Sequence, residues 1–249
     1  MRPSPHRLPV VLVVPVLLAP AACGSEEAPT VQLPVVTEGG AFAPVVTDLG
    51  YTVTTSRVRL AMSDLELTIQ GEQHAIAAQL FHPGHSSGGD VTGTMPGDFI
   101  VDWDGTERAL GTATLIVGTY QGANLHFRAA AATDELAAGD PLLGHTFHLT
   151  GTASKDGTDR PFDAVLDIDA GTALVAAVFE DEVTEDSVET LRLALLPTDP
   201  TEDDTIYDGL DFATLTANGE GVIEIRPGST AHNVFRRPIQ THDHYAIHH

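Results

Sequence analysis

SRVRLAMSDLELTIQG, residues 56–71, is the stretch that decides the fold. Val58, Leu60 and Met62 fall on one side of an extended chain. A shift of phase at Ser63–Asp64 then restores Leu65, Leu67 and Ile69 to the apolar face. Side chains of a strand alternate between two faces, so the pattern predicts a strand interrupted by a bulge. Shorter apolar runs follow at 74–81, 98–103, 111–117, 124–130, 144–153, 162–168, 173–179, 190–196 and 221–225. Asp104–Gly105, Asp156–Gly157, Asp208–Gly209 and Asn218–Gly219 punctuate them as turn pairs. Many short strands at this spacing predict an all-β fold, an antiparallel β-sandwich with Greek-key-like connections or a barrel. One or two short helices are expected, near 205–215 and 231–237.

The first 23 residues, MRPSPHRLPVVLVVPVLLAPAAC, carry Arg2 and Arg7, an apolar run from Leu8 to Leu18 and small residues ending at Cys23. That is the layout of a secretory signal, and the run is shorter than the ~20 residues a membrane-spanning helix needs. Ala21, Ala22, Cys23 and Gly24 resemble the bacterial lipoprotein signal, with a departure at Pro20. The resemblance implies lipidation of Cys23 and a place in the cell envelope facing the periplasm. The outer membrane is favoured, because Gly24 stands where proteins retained at the inner membrane carry aspartate. Residues 1–22 are thus read as signal peptide, 23–49 as lipidated cysteine and flexible tether, and 50–249 as one β-sandwich domain. Cys23 is the sole cysteine, so an internal disulfide is excluded.

Thirty-five acidic residues against twelve basic ones give a net charge of −23. Such a surface repels nucleic acid and anionic headgroups and attracts cations in general. Lys155 is the only lysine. The partners expected are therefore the membrane, through the lipid anchor, and a metal ion, with no nucleic acid.

Twelve histidines supply candidate ligands. In FHPGHSSGGD, residues 81–90, a Pro–Gly turn could fold His82 and His85 toward one ion. At the C-terminus, THDHYAIHH places His242 and His244 on one side if the segment is extended. Joined to His82 and His85, they would give the three or four nitrogen ligands that zinc or copper takes. His145 and His148 are expected on opposite faces of a strand, and His74 and His126 are read as structural. The acidic runs EDEVTEDSVE, residues 180–189, and TDPTEDD, residues 198–204, could gather calcium but lack the order of an EF-hand loop. Solvated loops are the default for such runs.

Gly84-His85-Ser86-Ser87-Gly88 matches G-x-S-x-G, the nucleophile elbow of serine esterases. The elbow works by a strand-to-helix turn, and the residues that follow, GDVTGTMPGD, disfavour a helix. No catalytic residue is therefore assigned. Trp103 alternates with Phe99 and Val101 and reads as core, with Asp102 and Asp104 opposite.

GTYQGANLHFRAA, residues 118–130, is similar to a pattern in periplasmic copper-binding proteins of the methanobactin-associated type. The likeness rests on Gly118, Thr119, Tyr120, Gly122 and Phe127, with the strand around Ser63–Leu67. It implies a periplasmic β-sandwich and copper handling, and it transfers no ligand residue. The leading expectation is a lipid-anchored protein that binds copper or zinc through histidines, as carrier or sensor. The alternatives are a metal-free interaction or structural module with an envelope protein partner, and a serine esterase using GHSSG.

Overall fold

The computed structural model describes residues 28–69 and 90–249. Fourteen strands occur among them. The spine is β3 (Thr52–Ile69), preceded by β1 (Thr30–Thr37) and β2 (Val45–Val46). Then come β4 (Asp90–Trp103), β5 (Ala109–Ile116), β6 (Gly118–Tyr120) and β7 (Gly122–Phe127). The hairpin β8 (Phe147–Lys155) and β9 (Thr158–Leu166) follows, then β10 (Ala173–Ala177), β11 (Asp181–Val183) and β12 (Leu191–Leu195). β13 (Ile223–Ile225), the helix α1 (Thr230–Ile239) and β14 (Tyr245–His248) complete the order. The chain is all-β and sandwich-like.

The bulge foreseen at Ser63–Asp64 is present. Pairing of β3 with both β4 and β7 shifts between Ser63 and Leu65, and Asp64 adopts φ 43°, a left-handed conformation. Its carboxylate accepts a hydrogen bond from the Gly97 amide at 2.8 Å, which holds the kink against β4. Because one residue is left over, Val58, Leu60, Met62, Leu65 and Leu67 are all fully buried.

The bend lets β3 serve two layers. One path runs from β3 through β4, β5, β1, β12 and β14, and on the other side β3 pairs with β7 and β7 with β10. The circuit closes where the Val178 amide donates to Tyr245 O at 3.2 Å and the Ile247 amide donates to Val178 O at 2.7 Å. The first half of β3 also carries the extension β8–β9–β13. Its inner face is covered by the segment 205–215 and by α1. Aromatic rings make that contact, with centroids 5.3 Å apart for Tyr51–Phe212 and Phe162–Phe212 and 6.0 Å for Phe162–Tyr207, and Tyr207 in turn meets Phe235 of α1 at 5.4 Å.

Three features differ from the sequence reading. Residues 30–37 are no tether: β1 lies inside the sheet between β5 and β12, with Leu33 and Val35 fully buried. The folded unit thus includes residues well before position 50. The sheet is also mixed, because β1–β12 and β9–β13 run parallel. Finally, 205–215 contains turns and no α-helix, whereas α1 forms as expected. Ser229 caps α1 by accepting the His232 amide at 3.0 Å, and Ala231, His232, Phe235 and Ile239 form its buried stripe. The predicted strand 74–81 lies outside the described residues.

Candidate cation site

The acidic run at 198–204 begins where β12 ends. An aspartate followed by proline favours a local turn, because its carboxylate can take up nearby amides while proline fixes the next φ. Asp199 Oδ1 accepts the amides of Thr201 at 2.6 Å and Glu202 at 3.2 Å. The backbone closes the loop around it, with the Asp199 amide on Asp204 O at 2.8 Å and the Asp203 amide on Asp199 O at 3.1 Å. Asp203 reaches φ 60° to complete the turn. As a result Asp199, Glu202 and Asp204 each bring a carboxylate oxygen within 4.8 Å of the others. Asp199 is buried and forms the floor, while Glu202 and Asp204 are exposed at the rim.

Three like charges this close resist ionising together. The Asp204 carboxyl is held above its ordinary range, first by partial burial and then by Asp199 and Asp208, while His244 pulls the other way. A bound cation would relieve this repulsion. Oxygen-only ligands suit hard ions such as calcium, which takes about six to eight of them.

His244 reaches this place through the sheet. β12 and β14 pair antiparallel, so Leu196 and His244 stand side by side just beyond the paired residues. The Leu196 amide donates to His244 O at 2.8 Å, and His244 Nδ1 lies 2.9 Å from Leu196 O. A carbonyl can only accept, so Nδ1 carries the hydrogen of this contact.

His242 and His244 sit on a 3-10 turn, His242–His244, rather than an extended segment, so the two rings do not share a side by strand alternation. His242 Nδ1 is 2.7 Å from Asp243 Oδ1, but without hydrogen-bond geometry. His82, His85, Ser86 and Cys23 lie outside the described residues. The element that follows GHSSG is β4, a strand where an esterase elbow has a helix.

The remaining histidines of the described residues keep company with carboxylates or the backbone. His248 faces Glu38 at 3.4 Å, His249 faces Asp181 at 2.5 Å, and His126 faces Glu66 at 3.3 Å. His145 lies 2.7 Å from Asp167. His148 is buried in a chain of charges on the outer face of the sheet: Arg59 meets its Nδ1 at 2.8 Å, and Asp163 meets its Nε2 at 3.0 Å. Arg59 also binds Asp140 at 2.7 Å. Asp163 also pairs with Arg226 at 2.7 Å, so the carboxylates at both ends of the ladder meet a guanidinium, which fits an architectural role.

Comparison with protein-family models, curated proteins and solved structures gives no match. The reading of this site therefore rests on its own chemistry. The acidic run was visible in the sequence, but its proximity to His244 was not, since that depends on the β12–β14 pairing.

Proposed function

We propose that this chain is an exported, lipid-anchored envelope protein that binds a divalent cation and performs no covalent chemistry on it. The observation that carries the reading is the convergence of Asp199, Glu202 and Asp204 within 4.8 Å. The anchor rests on the Cys23 signal. The donor set favours calcium over the copper or zinc that a histidine site would take, because carboxylates are hard ligands. Three protein oxygens leave several coordination positions to water or to a ligand, which suits reversible binding better than a permanent structural ion.

Calorimetric titration of the chelator-treated chain with calcium tests this. One site is expected, weakened at least ~tenfold in Asp199→Asn and in Asp204→Asn. Because the Asp204 carboxyl is raised, calcium affinity should start to fall at a higher pH than an ordinary aspartate would dictate. Stoichiometric zinc or copper lost in His82→Ala and His244→Ala, with no calcium bound, would replace this reading by the histidine one. No binding of any of the three ions would leave an envelope interaction module.

A further inference from the structure

Arg237, in the last turn of α1, lines a cleft of about 430 Å³ together with Asp204, Asp208, Val234 and Thr241. In this acidic chain most arginines are neutralised locally. Arg57, Arg59, Arg108, Arg128, Arg192 and Arg226 each have a carboxylate within 4.0 Å. Arg237 shares its cleft with two aspartates, yet among the described residues it has no carboxylate within that distance. Asp208 is already committed: its Oδ1 accepts the Asp48 amide at 2.9 Å and the Thr205 hydroxyl at 2.8 Å, and its Oδ2 accepts the Thr205 amide at 2.9 Å. Asp204, in contrast, receives no hydrogen bond from a side chain of the described residues.

The cleft therefore places a cation on α1 and an anion on the 198–204 loop, both exposed and not paired with each other within 4.0 Å. A ligand bearing both charges in reverse order would satisfy the two at once. We infer that the cleft binds a small zwitterion, an amino acid or short peptide, with its carboxylate on the Arg237 guanidinium and its ammonium on Asp204. A guanidinium fork matches a carboxylate with two parallel hydrogen bonds, so the arginine end would set the orientation. The volume lies in the ordinary range for small-ligand sites, about 300–1,000 Å³. This inference does not require the calcium reading, but the two share Asp204, so calcium and the zwitterion should compete.

The experiment is calorimetric titration of the chelator-treated chain with glycylglycine, against propionate and ethylammonium as single-charge controls. Glycylglycine should saturate below about 10 mM, and each control should bind at least ~tenfold more weakly. Arg237→Gln and Asp204→Asn should each weaken glycylglycine by ~tenfold or more, whereas Arg236→Gln, which does not line the cleft, should leave it unchanged. Arg237→Gln should keep full calcium binding, which separates failure of this inference from failure of the cation reading. Absence of saturation, or an Arg237→Gln chain that binds glycylglycine like the parent, overturns the proposal.

Discussion

Leu33→Ala asks whether residues 30–37 are a core strand or a tether. Leu33 is fully buried in the main apolar cluster, on a strand paired with β5 over Thr30–Val36 and with β12 over Val35–Thr37. Truncation to alanine removes three methylene equivalents, about 2.4 kcal/mol of transfer free energy at about 0.8 each. The ladders on either side limit collapse of the backbone into the gap, so a cavity contribution of about 1 kcal/mol adds to this. The expected loss is about 3.5 kcal/mol, or about 7–14 °C in Tm for a domain of this size. Urea unfolding followed by circular dichroism should show a lower midpoint with an unchanged slope. The exposed neighbour Gln32→Ala should stay within about 0.5 kcal/mol of the parent. A Leu33→Ala chain as stable as the Gln32→Ala chain would refute the placement of β1 in the core and return the segment to a tether.

Acid should destabilise the protein through identifiable pairs. The Arg128 fork, bonded at 2.7 Å to both oxygens of Asp134, holds that carboxyl below its ordinary range, and Arg59 does the same to Asp140. A carboxyl lowered on folding contributes stability above its unfolded pKa, about 3.9, and loses it as pH falls through the folded value. The urea midpoint should drop between pH 5 and pH 3, and the drop should shrink in Asp134→Asn and Asp140→Asn chains; an unaltered pH profile in both would show that these pairs are not responsible. Gly151→Ala should cost about 1–3 kcal/mol, since its Cβ would lie 2.7 Å from Thr54 O and 2.8 Å from Phe162 Cζ. Thermal unfolding checks this, and a neutral result would mean that both the Thr54 carbonyl and the Phe162 ring yield to the added methyl.

The parts of this fold legible in the sequence are those set by local alternation and turn chemistry. The β3 bulge was readable because the apolar face had to be restored after one extra residue. The β8–β9 hairpin was readable because Asp156–Gly157 supplies the two positive φ angles its turn needs, 52° and 72°. β1 was hidden by Pro34, which normally argues against a central strand. Here Pro34 is exposed and precedes Val35, where pairing with β12 begins, so its missing donor is not needed there. β14 was hidden for another reason: four residues, Tyr245–His248, are too few for periodicity to register beside four histidines. The parallel β1–β12 pair joins segments some 150 residues apart, and no local pattern encodes such a partnership.

The same long-range pairing supports the acidic loop that we propose as a cation site. Its root is fixed on one side by β12, which lies between β1 and β14. On the other side the His242–His244 turn is held by β14, whose Tyr245 hydroxyl donates to Ile239 O at 2.9 Å and whose ring packs against Phe127 at 6.4 Å. The two-way bonding of Leu196 with His244 then joins the loop's root to that turn. Asp199 is consequently presented from a rigid, buried floor, while Glu202 and Asp204 face solvent and can adjust to an incoming ion. A floor ordered in advance reduces the entropy lost on binding, and an exposed rim keeps exchange open. β14 is held for this by its four-residue ladder with β12, and on its other edge by the bridge through Val178.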